Sequence, residues 1–292
     1  MKFDTLGLSS PILNAITECG YQQLTQVQQQ VIPLALTGKD IMACAQTGTG
    51  KTASFALPVL EQLAAQPADK PLLRALVMTP TRELAIQVCA NIQKYSQFLP
   101  LKTLAVYGGA NMNPQRKGVE QGVDILVATP GRLFDIIGQF NLDLSSVTTL
   151  VIDEADRMLD MGFGVQIDRI LKHLPLKKQT LMFSATLPDE IVRMSSKYLK
   201  NPERVSMGAT NVLSIKIKQE VVHIQQEQKY NELIKQLQQR TGSVLVFVKT
   251  KHNSKNLAAK LCKEKFKADA LHGNLRQSKR SISKSIQPIT NW

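Results

Sequence analysis

Short apolar runs rich in β-branched residues recur through the first part of the chain, at Asp40 to Ala45, Ala75 to Thr79, Thr103 to Tyr107, Ile125 to Ala128, Thr149 to Ile152 and Thr180 to Phe183, with helical patterns between them. A strand with one solvated face alternates apolar and polar residues. These runs are apolar on both faces and need cover on both sides, which a parallel sheet between two helical layers provides. The expected fold class is therefore α/β. Ser9-Ser10-Pro11 and Leu187-Pro188-Asp189-Glu190 read as helix entrances, with a capping residue or acids beside a proline at the first turn.

At 292 residues the chain is long enough for two domains with separate cores. The sheet domain is expected to span residues 1–205. Residues 206–218, with Gly208 and Asn211, are polar and lack helix or strand period, so they read as a linker. A second α/β unit is expected over 219–292, with candidate strands at Gln219 to Ile224, Val244 to Val248 and Ala268 to Leu271, and helices near Lys229 to Arg240 and Asn253 to Lys265. Its length is about half of the ~150 residues usual for such a domain, so it reads as incomplete.

The octet Ala45-Gln46-Thr47-Gly48-Thr49-Gly50-Lys51-Thr52 directly follows the first predicted strand and opens a helix. Its close matches the phosphate-loop pattern ending Gly-Lys-Ser/Thr, with Ala45 in place of the first glycine. Gly48 and Gly50 let the backbone turn its N–H groups toward a phosphate. The helix amino end adds positive potential, Lys51 a full charge and Thr52 a ligand for Mg2+. Gly48-Thr49-Gly50 with Ala53 also fits the looser dinucleotide pattern, but the Lys-Thr pair is what a triphosphate site requires.

A second apolar strand, Leu150-Val151-Ile152, delivers Asp153 and Glu154 at its carboxyl end, the edge of an open parallel sheet where ligands bind. Asp153 suits a Mg2+ ion carried by a nucleotide, and Glu154 suits a base for an attacking water. Acids after a strand also serve as ordinary helix starts. The company of Lys51 is what favours the chemical reading.

Asp153-Glu154-Ala155-Asp156 resembles the motif that names the DEAD-box RNA helicases, and further signatures of that family follow in order. Pro80-Thr81-Arg82-Glu83-Leu84-Ala85 resembles motif Ia, Gly108-Gly109 the glycine pair, Thr129-Pro130-Gly131-Arg132 motif Ib, and Ser184-Ala185-Thr186 motif III. Phe3, 17 positions before Gly20-Tyr21, with Thr25 and Gln28, is similar to the family's adenine-recognition element within residues 1–29; Gln26 stands where the family has proline. Val244 to Thr250 resembles motif IV, and His272-Gly273 with Gln277-Ser278-Lys279-Arg280 the Gln-x-x-Arg element.

The resemblance implies a RecA-like phosphate-loop domain followed by a partial second one, and ATP with Mg2+ as cofactors. It implies nucleotide contacts from Phe3, Gln28 and residues 45–52, metal contacts from Thr52 and Asp153, and catalytic roles for Lys51, Asp153, Glu154, Ser184 and Thr186. It also implies RNA contacts through the sugar-phosphate backbone at Pro80, Thr81, Arg82, Gly108, Gly109, Thr129, Pro130, Gly131 and Arg132. Glycine-turn N–H groups and guanidinium groups grip phosphates without reading bases, so binding should tolerate any sequence and weaken with salt.

After Arg280 the family continues with an Ala-Arg-Gly-Leu-Asp and a His-Arg-x-Gly-Arg segment, neither of which is in this chain. Residues 281–292 match none of that and read as a premature or frame-shifted terminus. Arginines of the kind carried by those segments are worth ~10³ or more in rate in related nucleotidases. Binding of Mg-ATP and RNA is therefore expected, with hydrolysis and unwinding impaired. A non-catalytic RNA-binding or interfering fragment is the alternative, and a metabolic phosphotransferase using the same loop is a third reading.

The net charge of +13 favours an anionic partner, and residues 249–284 carry a net +9 of it. Cys19, Cys44, Cys89 and Cys262 lack metal-site spacing and read as reduced core residues. No apolar stretch approaches the ~18 residues of a membrane span, and Asp4 near the amino terminus does not suit a signal peptide. A cytoplasmic location is expected.

Overall fold

The computed structural model describes residues 1–46, 48–69, 72–207, 218 and 220–275. The chain forms two compact units, Met1–Asn211 and Val212–Trp292. In the first, a 3-10 turn at Phe3–Leu6 leads into α1 (Ser10–Glu18), α2 (Gln26–Leu36), β1 (Ile41–Cys44), α3 (Lys51–Ala65), β2 (Ala75–Met78), α4 (Arg82–Tyr95) and β3 (Thr103–Val106). Next come α5 (Met112–Glu120), β4 (Ile125–Ala128), α6 (Pro130–Phe140), β5 (Thr149–Ile152), α7 (Ala155–Asp160), α8 (Gly164–Leu171), β6 (Gln179–Ser184), α9 (Asp189–Tyr198) and β7 (Glu203–Ser206).

The seven strands form one sheet in the order β3-β4-β2-β5-β6-β1-β7, and every pairing is parallel. Because successive strand residues point to opposite faces, each of β1 to β6 feeds two cores. Ile125 and Val127 join Ile12, Phe55 and Ile92 from α1, α3 and α4 on one face. Leu126 and Ala128 join Leu133, Ile167 and Met194 from α6, α8 and α9 on the other. The runs that are apolar on both faces are thus covered on both sides, as the sequence requires.

The edge where the strands begin is locked by a buried ion pair. Arg74 Nη2 lies 2.9 Å from Asp124 Oδ1, and their side chains are only 10% and 5% exposed. Arg74 Nη1 also donates to the Leu63 carbonyl at 3.1 Å, and Asp124 Oδ2 accepts the Lys102 N–H at 2.9 Å. These contacts tie the starts of β2, β3 and β4 together, leaving the opposite edge open for ligands.

Several expectations are corrected. The sheet has a seventh strand, β7, in residues read as the end of the domain and the start of the linker. Glu203, Arg204 and Ser206 are polar, and only Val205 packs inward, so this edge strand lacks the apolar signal of the others. Ser9 precedes α1 but makes no side-chain cap; its hydroxyl and N–H both donate to the Glu61 carboxylate of α3 at 2.8 Å. Of the four cysteines read as core residues, only Cys89 is buried, while Cys19 and Cys44 are half-buried and Cys262 is exposed.

The second unit holds a 3-10 turn at Gln226–Gln228, α10 (Lys229–Gln238) and α11 (Lys251–Lys263), close to the two expected helices. The three expected strands do not form among the described residues, although Gln219 itself lies outside them. Val222 is 51% and Phe247 87% exposed. An apolar run becomes a strand only when a neighbour takes its N–H and C=O groups, and no such ladder is present among the described residues of this unit. Gln277 to Arg280, residues 281–292 and most of the expected linker lie outside the described residues.

Candidate functional site

The chemistry-bearing residues follow the carboxyl ends of the strands. Along the chain the two expected groups are interleaved, but the strand order sorts them. Pro80 to Arg82, Gly108-Gly109 and Thr129 to Arg132 follow β2, β3 and β4, which are contiguous in the sheet; Gly48 to Thr52, Asp153-Glu154 and Ser184 to Thr186 lie at the ends of β1, β5 and β6, also contiguous. One edge therefore carries two adjacent groups of candidate residues.

In the phosphate loop, Ala45 is buried and donates its N–H to the Ser184 carbonyl at 3.0 Å, anchoring the loop to the end of β6. Thr49 donates its hydroxyl to the Gln46 carbonyl at 2.7 Å. Thr47 lies outside the described residues. Gly50 caps α3 with φ +92°, so Lys51 and Thr52 occupy the first two helical positions. Their backbone N–H groups are among those that a helix start leaves unpaired, the arrangement that attracts an anion. Lys51 is 93% buried, and its ammonium Nζ has no hydrogen-bond partner. An unpartnered buried ammonium is costly unless an anion arrives to meet it.

Asp153 is buried at the end of β5, and burial pushes its carboxyl up to about 6 against the opposing pull of Lys51. Glu154 caps α7 with φ +54°, a left-handed conformation uncommon for a residue with a side chain and one that recurs at functional sites. Its carboxylate meets Arg157 Nη1 at 3.2 Å. Asp156 accepts the Ala185 N–H at 3.1 Å, the Thr186 N–H at 3.0 Å and the Thr186 hydroxyl at 2.9 Å, joining the ends of β5 and β6. Burial works to raise the Asp156 carboxyl, but hydrogen bonds from Thr186 and Arg157 outweigh it and hold it below the ordinary value.

At the amino terminus, Thr25 and Gln28 form a capping box at the start of α2. The Gln28 amide accepts the Thr25 N–H at 2.9 Å and donates to the Gly50 carbonyl at 3.2 Å, so this element reaches the phosphate loop directly. Each half of the amide retains one further hydrogen-bonding position, which is what an adenine edge would need. Phe3, expected beside the base, is 5% exposed and belongs to the core. The exposed ring is Tyr21, which is 41% exposed and stacks on Phe3 with centroids 6.2 Å apart. The Gly20-Tyr21 pair was visible in the sequence, but only burial distinguishes the supporting ring from the accessible one.

Among the residues at β2, β3 and β4, Thr81 caps α4 by accepting the Leu84 N–H at 3.3 Å. The Arg82 guanidinium lies against Gly109, whose φ is +75° and where any Cβ would collide with it. Arg132 donates from Nη2 to the Ala110 carbonyl at 3.0 Å, while Nε and Nη1 have no partner. Thr129 and Pro130 start α6, with Gly131 in its first turn, and Gly108 precedes Gly109 at the end of β3. The three strings thus meet around the Arg82 and Arg132 guanidinium groups, the second of which has spare donors.

A sequence profile described as DEAD/DEAH box helicase matches residues 25–194. Among curated relatives, the DEAD-box ATP-dependent RNA helicase CshA of Streptococcus pneumoniae is 39% identical over 281 residues, covering 96% of this chain and 53% of that protein. The ATP-dependent RNA helicase DbpA of Bacillus subtilis is 40% identical over 279 residues, covering 95% of this chain and 58% of that protein. The chain spans about half the length of the curated relatives it matches. Among solved structures, a DEAD box protein from the hyperthermophile Methanococcus jannaschii aligns with a TM-score of 0.67 at 38% identity, covering 97% of this chain and 76% of that one.

Proposed function

The chain belongs to the DEAD/DEAH box helicase family, and from that premise we propose that its first unit binds ATP with Mg2+ at the ends of β1, β5 and β6 and the RNA backbone at the ends of β4, β2 and β3. The observation that carries this reading is the unpartnered ammonium of Lys51, buried beside the phosphate loop and electrostatically coupled to the buried Asp153. A triphosphate satisfies the first group, and a divalent cation offsets the burial of the second.

In this reading Lys51 and the N–H groups from Gly48 to Thr52 hold the phosphates, while Thr52 and Asp153 hold Mg2+. Mg2+ supplies charge neutralisation on the phosphate oxygens when bound. Glu154 accepts a proton from the attacking water. Asp156, held by Thr186, keeps the ends of β5 and β6 in register, so that Ser184 and Thr186 act by positioning. Gln28 pairs with the adenine edge, and the base lies on Tyr21, with Phe3 supporting that ring from below.

Arg82, Arg132 and the glycine turn at Gly108-Gly109 grip successive phosphates of one strand. This contact reads no bases and is salt-dependent. The relatives are named ATP-dependent RNA helicases, and for this chain we propose, as part of the same reading, that ATP hydrolysis is coupled to separation of RNA strands.

The test compares three quantities on the full chain: Mg-ATP binding, binding of a single-stranded oligoribonucleotide, and phosphate release with and without that RNA. Release that rises with RNA supports the coupled reading. Binding of both ligands without any stimulation would replace it with the non-catalytic RNA-binding alternative. Turnover with a small acceptor and no dependence on RNA would point to a phosphotransferase instead.

A further inference from the structure

We propose that Tyr95, a core residue of α4 that no motif includes, is a positioning residue for the nucleotide base, acting by holding the Tyr21 ring. The inference rests on the placement of adenine on Tyr21 made above. Tyr21 and Tyr95 are 74 residues apart in sequence, yet their hydroxyl oxygens lie 3.0 Å apart, within hydrogen-bond distance, and their ring centroids are 6.1 Å apart at an interplanar angle of 53°. Tyr95 is only 2% exposed and sits among the apolar residues of the core. Burial, together with the hydrogen bond to Tyr21, raises its phenol well above the ordinary value, so it remains a neutral hydroxyl at any working pH.

Tyr21 is restrained in two ways. Phe3 stacks against one part of the ring at an interplanar angle of 21°, and Phe3 is itself fixed in the core. That contact alone permits the ring to slide, because stacking is only weakly directional. The hydroxyl bond to Tyr95 fixes the far end of the same ring, since a hydrogen bond weakens steeply once its geometry is lost. A half-exposed aromatic held at both ends has already lost the freedom that base stacking would otherwise remove, and preorganisation of this kind raises affinity without a new contact to the ligand.

A buried tyrosine also needs a partner for its hydroxyl, and satisfying that need is the structural explanation for the bond. The two roles separate in experiment, because a structural role acts on the fold and a positioning role acts on the base alone. Mg-ATP and magnesium tripolyphosphate share the phosphate-loop contacts, but only the first carries the nucleoside and hence the base. Each is titrated against the full chain as wild type, Tyr95→Phe, Tyr21→Phe, the double Phe variant and Tyr21→Ala. Neither Phe substitution removes a ring; Tyr95→Phe leaves no buried hydroxyl behind, whereas Tyr21→Phe leaves the Tyr95 hydroxyl without its partner.

The expected result is that Tyr95→Phe and Tyr21→Phe each weaken Mg-ATP by about three- to tenfold, the worth of one hydrogen bond, with tripolyphosphate binding unchanged. The double variant should be no weaker than either single one, since both break the same bond. If Tyr21→Ala leaves Mg-ATP affinity unchanged, the placement of the base on Tyr21 is wrong and this inference falls with it. If Tyr21→Ala weakens ATP binding but Tyr95→Phe does not, or if Tyr95→Phe weakens tripolyphosphate equally, the positioning role alone is overturned.

Discussion

The side-chain amide of Gln28 donates to the backbone carbonyl of Gly50 across 3.2 Å, tying the start of α2 to the phosphate loop that opens α3. Its oxygen accepts the Thr25 N–H, so one side chain serves the helix cap and the loop together. A side chain at Gly50 would be strained by the left-handed backbone at φ +92°, and its Cβ would come within 2.5 Å of Gln28 Nε2 and displace that amide. Gln28→Ala should lower stability by ~1 kcal/mol through loss of the cap and the loop contact. It should also reduce the preference for ATP over GTP, read as the ratio of the two dissociation constants. An unchanged ratio would remove Gln28 from base recognition.

Asp153 predicts a pH dependence. Its carboxyl rises from an ordinary 3.8 to about 6 in the folded chain because burial disfavours the charge. A raised acid binds its proton more tightly in the folded state, so stability falls as pH climbs from 3.8 to about 6, and the full cost of ~3 kcal/mol persists above that. Without nucleotide, Asp153→Asn should therefore be more stable than the parent at pH 7.5, with the advantage shrinking as pH is lowered through 6 toward 5. Denaturant melts at several pH values measure it. An advantage that stays constant with pH would contradict the burial cost. Mg-ATP binding in the parent should strengthen as pH rises through about 6, where the carboxylate forms.

Arg132 has two unpartnered nitrogens at a position only 9% exposed. Arg132→Ala should weaken RNA binding about equally for unrelated sequences and reduce the slope of log affinity against log salt by roughly one. Binding of Mg-ATP without RNA should be unaffected, because Arg132 follows β4, whereas the phosphate loop follows β1. Loss of affinity for only some sequences would contradict a backbone contact.

The six strands from β1 to β6 were legible because each carries apolar side chains on both faces, and that pattern has one physical solution. β7 was not, since its only inward residue is Val205. In the second unit the runs around Val222 and Phe247 have the strand composition, but pairing depends on partners elsewhere in the chain, which local composition cannot supply. The phosphate loop and the acids after β5 were legible as motifs. That Phe3 is covered while Tyr21 is accessible, and that Tyr95 reaches Tyr21, are consequences of packing between distant segments, and no spacing in the sequence encodes them.

In the proposed site, the buried, unpartnered ammonium of Lys51 meets the phosphates of ATP. Equilibrium titration of the full chain with a fluorescent ATP analogue in the presence of Mg2+, for wild type and Lys51→Ala, measures that contact. Saturable binding by the wild type, displaced by ATP, is expected, with a loss of at least about tenfold in the variant, since a charge-assisted contact of ~1.5–3 kcal/mol is removed. Equal affinity of the two proteins would contradict the assignment of the site.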